Sequence, residues 1–174
     1  MCPTLKVHGP VMPEVMEDTY LGDILSNDGK NTKNIKSRVG KGLGIVTDIM
    51  NILGKVSLGK HYFQMGLLLR ESMFLNGILT NAEVWYGITK EEIEQLEALD
   101  MDLLRQILNT PFSVPSEGVY LELGCLNIGT ILKARRINYL HTLLKQDPKS
   151  MLFSFFYTQW KYSCKNDWTI QVKK

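Results

Sequence analysis

The sequence predicts a mainly α protein: a short N-terminal β-hairpin followed by a multi-helix bundle. Three observations carry that reading. Strand and turn chemistry is confined to residues 1–29. From residue 31 onward apolar side chains recur at helical steps almost to the end. A capping box, Thr89-x-x-Glu92, marks a helix start in the middle of the chain. The expected organisation is strands over 1–29, a helical domain over 30–162 and a tail over 163–174.

Within the first segment, Leu5-Lys6-Val7 alternates, His8-Gly9-Pro10 is a turn signal and Val11-Met12 returns as a hairpin partner, with Pro13 ending that strand or confining it to an edge. Thr19-Tyr20-Leu21 reads as a further short strand, followed by a turn at Ser26-Asn27-Asp28-Gly29. So small a β-structure is only marginally stable by itself. It is therefore expected to be loosely held and to belong to a sheet whose other strands lie outside this chain.

The next stretch organises the rest. Ile35, Val39, Val46, Ile49, Met50 and Leu53 step by three and four, so at about 100° per residue they share one arc of a long helix. Lys30, Lys33 and Lys41 project opposite that arc, while Lys36 and Arg38 stand at its borders, where stems lie on apolar surface and charged heads stay wet. The face is either an anion-binding surface or an ordinary solvated one. Gly54 and Ser57-Leu58-Gly59 punctuate. A second helix over about 61–79 is apolar around most of its circumference, as a central helix should be, and its glycines allow close approach of neighbours. Residues 81–87 end or briefly extend it. Behind the capping box, Ile93, Leu96, Leu99, Leu103, Leu104 and Ile107 form the inner stripe of a third helix that stops before Pro111. A short helical turn through Tyr120 closes at Gly124, a long helix covers about 128–145, and Asp147-Pro148 opens a fifth with proline at its first position. The final residues carry no stop signal, and the chain reads as truncated there.

With 174 residues and 44% hydrophobic content the chain can bury a core. Its formal net charge of +2 gives no global argument for nucleic acid, so any such argument rests on local clustering. That clustering exists: residues 30–41 are basic and 91–102 are rich in Glu and Asp. Cys2, Cys125 and Cys164 form no C-x-x-C pair and read as free intracellular thiols. No secretory signal or membrane span is predicted, since Gln64, Arg70, Glu71 and Asn76 interrupt the most apolar run.

No catalytic or metal-binding constellation emerges. His8, His61 and His141 share no ligand spacing, and Asp100 and Asp102 point away from each other on one helix. Gly40-Lys41-Gly42-Leu43-Gly44 lacks the preceding strand and the ending of a phosphate loop, so its glycines read as packing points. Arg135 falls within the stripe of Ile128, Ile131, Leu132 and Tyr139, where an internal ion pair with Glu122 or an acid of the third helix is expected. A phosphate contact is the alternative. The aromatic run Phe153, Phe155, Phe156, Tyr157, Trp160 and Tyr162 reads as core or as a face that docks on a neighbour.

Two runs, Thr19-Tyr20-Leu21-Gly22-Asp23-Ile24-Leu25-Ser26 and Ile78-Leu79-Thr80-Asn81-Ala82-Glu83-Val84-Trp85-Tyr86-Gly87, stand in that order around the basic helix. Together with Leu-Asp-x-x-Leu-Leu-Arg-x-Ile-Leu at 99–108, Tyr120-Leu121-Glu122-Leu123-Gly124 and Lys133-Ala134-Arg135-Arg136-x-x-Tyr139-Leu140, they resemble the end of the reverse transcriptase domain of non-LTR (LINE-type) retrotransposons. The resemblance covers nearly the whole chain from about residue 5. It implies that Tyr20, Leu21 and Gly22 match the primer-grip strand at the end of the palm, and that the helices match the thumb. Lys30, Lys33, Lys36, Arg38 and Lys41 would then track a primer–template duplex, either RNA–DNA or DNA, weakly and without reading sequence. The Tyr-x-Asp-Asp motif that binds the catalytic metals, and the fingers, lie upstream in that family and are absent from this chain. The implied RNA-directed DNA polymerase would therefore be inactive in this form, with Mg²⁺ a cofactor of the complete parent enzyme and none expected here. The palm and fingers of the parent polymerase are further implied partners, and an intracellular location, cytoplasmic or nuclear, is expected without membrane attachment. The alternative is a helical protein–protein interaction module derived from a retroelement.

Overall fold

The computed structural model describes residues 15–28, 30–55, 59–162 and 168–173. The strand pair expected over Leu5–Met12 lies outside the described residues. The mainly α reading holds: one two-stranded hairpin precedes a helical body. Strands β1 (Glu17–Tyr20) and β2 (Asp23–Ser26) pair antiparallel, with Tyr20 opposite Asp23. Leu21 and Gly22 make the connection at φ 49° and 85°, as the primed two-residue turns that fit strand twist require. Leu21 is thus a turn residue rather than the end of a strand. The chain reverses there because Gly22 takes positive φ without penalty, while Leu21 accepts a conformation costly for a side chain with a β-carbon. The turn expected at 26–29 comes after β2.

Helix α1 (Thr32–Lys55) buries Ile35, Val46, Ile49 and Leu53, the arc its spacing prescribes. Gly42 lies on the same side, and a β-carbon there would stand 3.0 Å from Ile78 Cγ2, so its absence lets the helices approach. Helix α2 (Tyr62–Leu69) continues through a π-helical turn (Arg70–Leu75) into α3 (Asn76–Ile78). The wider turn shifts the inward face by one residue, so Phe74 and Leu75 are both buried.

At the start of α4 (Lys90–Leu108) the capping box is present in both directions: Glu92 N donates to Thr89 Oγ1 at 3.2 Å and Thr89 N to Glu92 Oε2 at 2.9 Å. The helix ends at a left-handed Asn109, two residues before Pro111. Helices α5 (Ser116–Leu123), closed by a left-handed Gly124, and α6 (Ile128–Leu144), capped by Asn127, follow as expected. The main core lies between α1, α2–α3, α4 and α6 around Ile35, Phe74, Ile78, Leu96, Leu103 and Ile128. A smaller cluster of Met101, Leu104 and Val119 lies under α5.

Two features of the C-terminal region differ from expectation. Helix α7 (Met151–Lys161) begins after Ser150, whose hydroxyl accepts from Phe153 N at 3.1 Å. Asp147-Pro148 forms a preceding turn instead, because the Asp147 carboxylate takes the nearby Lys149 N–H at 2.8 Å. The tail contains a short helix, α8 (Trp168–Lys173), whose Trp168 indole donates to Glu83 O and meets Tyr139 edge-on at 5.5 Å. Leu143, Phe156 and Trp168 form a third buried cluster there. Among the described residues no helix is long and apolar enough to cross a membrane.

Candidate nucleic-acid interface

Lys33, Lys36 and Lys41 lie exposed on α1, with exposed Lys30 just ahead of it. Lys33 is held by Glu17 of the hairpin, and about half of its side chain remains accessible. Between the lysines, Ser37, Gly40 and Gly44 fall within one narrow arc at 100° per residue. A β-carbon on Gly40 or Gly44 would have no neighbour within 4 Å among the described residues. Among the described residues these two glycines therefore pack against nothing, unlike Gly42, yet each lowers helix stability by about 1 kcal/mol relative to alanine. The result is a low strip of backbone flanked by Lys36 on one side and Lys41 on the other.

Arg38 does not belong to this face. Its side chain is 4% exposed, and its guanidinium bonds Asp23 Oδ1 at 2.8 Å, Gly22 O at 3.0 Å and Gly77 O at 3.1 Å, above the Trp85 ring. Position 38 is one turn from Ile35 on the core side, so the head is drawn inward wherever a carboxylate waits there. Asp23 is that carboxylate. It also accepts from Asn34 Nδ2 at 3.1 Å, Trp85 Nε1 at 3.1 Å and Asn81 Nδ2 at 2.9 Å. Burial pushes its carboxyl up, but the bonds from Asn81, Arg38, Trp85 and Asn34 together hold it below the ordinary 3.8. Ile24 N donates to Asn34 Oδ1 at 3.3 Å. The expectation of a loosely held N-terminal segment therefore does not apply to residues 17–26. Asp23 ties the two motif runs, at 19–26 and 78–87, to each other and to α1.

Tyr20 and Leu21 are 65% and 74% exposed, and Gly22 offers its carbonyl to Arg38. The segment expected to match a primer-grip strand is thus an exposed hairpin tip, with Gly22 beside Arg38 of α1. Arg135, expected to pair with a carboxylate, instead donates to Leu79 O at 2.7 Å. That carbonyl caps α3, and the partial negative charge at a helix C-terminus serves where no acid is close. Neighbouring Arg136 donates to Trp85 O at 3.1 Å, so the pair straps α6 onto residues 79–85. The internal ion pair lies elsewhere. Arg70 meets buried Asp100 through Nε–Oδ1 at 2.6 Å and Nη2–Oδ2 at 2.7 Å. Burial pushes the Asp100 carboxyl up against the opposing pull of Arg70, and burial beside Asp100 pushes the Tyr120 phenol up. Asp102 is exposed on the other side of α4, as expected.

Of the aromatic run, Phe156 alone is fully buried; Phe155, Tyr157 and Tyr162 are more than half exposed. His61 bonds Gln64 at 2.9 Å and His141 is exposed, while His8 lies outside the described residues. Among the described residues no three His, Cys, Asp or Glu side chains converge. Comparison with known protein families, curated proteins and solved structures returned no match.

Proposed function

We propose that this chain is a thumb-like element of the non-LTR reverse transcriptase type, and that α1 lays its basic face along a nucleic-acid backbone. The observation that carries the reading is the low strip at Gly40 and Gly44 between exposed Lys36 and Lys41. Glycines that destabilise a helix and pack against nothing are explained if another backbone approaches closely. From Lys30 to Lys41 the helix rises roughly 16 Å at 1.5 Å per residue, enough to follow a few phosphates on one strand. Phosphate contacts position a duplex without reading its bases, so RNA–DNA and DNA duplexes of any sequence should bind alike. Arg38 is not among the contacts, because its charge is committed to Asp23.

Three or four such contacts give weak binding whose log K falls with log salt at a slope of about −3. Replacing Lys33, Lys36 and Lys41 together by glutamine leaves the buried arc intact, so circular dichroism and melting should change little. The slope, measured by fluorescence anisotropy on a labelled duplex, should move toward zero by roughly 2 to 3. A triple variant with the parent's affinity and slope would show the face to be merely solvated.

The sequence contains no Asp-Asp pair of the kind that family uses to hold its metals. Given primer–template, nucleotides and Mg²⁺ or Mn²⁺, the purified chain is expected to extend nothing. Template-dependent incorporation above a no-protein control would overturn the assignment of this chain to the thumb side of such an enzyme.

A second reading, a retroelement-derived protein–protein module, is favoured by α7, where Met151, Leu152 and Phe155 are 74%, 47% and 60% exposed. An apolar partner on that face would bind with little dependence on salt, which separates the two readings.

A further inference from the structure

A cavity of about 620 Å³ opens between α4 and α6. That volume falls in the range of about 300–1,000 Å³ usual for small-molecule sites. Glu97 contacts the first turn of α6, and Arg136, two turns further on, contacts Trp85 just ahead of α4, so the two helices run antiparallel. This arrangement sorts the charges. Glu97 lies at one end, where its Oε1 accepts from Gly129 N at 2.9 Å. Lys90, Lys133 and Arg136 lie toward the other.

Among the described residues the cationic end is only partly balanced. Lys90 is matched by Glu94 at 3.3 Å. Lys133 is exposed and no carboxylate among the described residues pairs with it. Arg136 is 9% exposed, spends Nη2 on a neutral carbonyl, and keeps a buried Nε with no acceptor among the described residues. Burial depresses its guanidinium. A buried cation held by neutral carbonyl oxygen is a costly arrangement, and an anionic ligand would relieve it. Lys133 and Arg136, at the end away from Glu97 and with no carboxylate partner among the described residues, suit a phosphate monoester, which carries about −1.5 to −2 near neutral pH. Beside them Ile93, Leu132 and Ile137 give the cavity an apolar wall.

We propose that this cavity binds a phosphate monoester carried on an aromatic or apolar body the size of a nucleoside, with the phosphate on Lys133 and Arg136 and the body against Ile93, Leu132 and Ile137. The site is distinct from the basic face of α1 and does not depend on the function proposed for it. Its ligand is either a free nucleotide or the phosphorylated end of a strand.

The test is a titration of the ¹⁵N-labelled full chain at constant ionic strength, following the Arg136 Nε–H signal and the amides of residues 129–137. Adenosine 5′-monophosphate should shift them saturably and adenosine should not. Inorganic phosphate should bind at least roughly tenfold more weakly, lacking the body. Lys133→Gln, at an exposed position, should weaken the nucleotide about tenfold, the loss of one charge-assisted bond. The triple lysine variant of α1 should bind it like the parent. Arg136→Met should abolish binding, and if that variant fails to fold, Lys133→Gln still decides. A 5′-phosphorylated trinucleotide compared with its 5′-hydroxyl counterpart distinguishes a strand end from a free nucleotide. Equal shifts with adenosine, inorganic phosphate binding as tightly as the nucleotide, or unchanged affinity in Lys133→Gln would each overturn the proposal.

Discussion

Replacing Asp100 by asparagine is expected to lower the unfolding free energy by about 3–5 kcal/mol, read as a drop in the urea midpoint with an unchanged slope. Asp100 is fully buried and Arg70 is 2% exposed, so the amide leaves a guanidinium deep in the body with no counter-charge. The guanidinium is then left with neutral acceptors only, Leu126 O at 3.0 Å and the asparagine oxygen. The pair also joins the π-helical turn to the middle of α4, and Tyr120 of α5 stands 3.4 Å from the same carboxylate. Loss of the charge should therefore loosen α5 as well. Removing both partners at once, as Arg70→Met with Asp100→Leu, should recover most of the loss, because a well-packed apolar pair of similar volume avoids the desolvation of both ions. A single asparagine variant within about 1 kcal/mol of the parent would mean that water reaches the pair and that it is not the buried contact described.

Much of this fold was legible in periodicity and caps. The α1 arc, the inner stripe of α4, the Thr89–Glu92 box and the Gly124 stop follow from side-chain geometry within one helix, which a sequence displays directly. What it displayed less clearly were the long-range pairings of charges. Asp100 sits one turn beyond Leu96 on the buried stripe, and Arg70 interrupts the most apolar helix, so each was a charge at a core position on a different element. Arg135 carries the same signal, a charge within an apolar stripe. Arg38 carried the same signal one turn from Ile35. Its partner could not be read from α1, since Asp23 reaches it only because the hairpin folds back at Leu21-Gly22. The start of α7 was misplaced because two capping residues, Asp147 and Ser150, compete three positions apart, and sequence alone does not rank them. The cavity between α4 and α6 has no sequence signature, since its lining comes from residues 90–97, 127–137 and 172.

Asp23→Asn is expected to cost about 2–4 kcal/mol, second only to the Asp100 change. An asparagine can still accept from Trp85 or Asn81, but Arg38, itself 4% exposed, then keeps only the carbonyls of Gly22 and Gly77 around its charge. The loss should be unevenly distributed. Amide exchange at Ile24 and Asn27, whose N–H groups bond Asn34 Oδ1 and Met16 O, should be slow in the parent and accelerate in the variant by far more than exchange in α4. The effect also has a defined pH dependence. The folded carboxyl titrates below its ordinary 3.8, so between the two values the unfolded chain binds more protons. The contribution of Asp23 is therefore full above about pH 5 and is lost as pH falls below about 4 toward the folded value. Stabilities of parent and Asp23→Asn, compared by urea titration at a series of pH values, should differ most near neutrality and converge in acid. A gap that persists unchanged to pH 2, or hairpin amides that exchange equally fast in both proteins, would show that Asp23 does not hold the hairpin onto α1. The basic face would then lose the anchored tip that stands beside it.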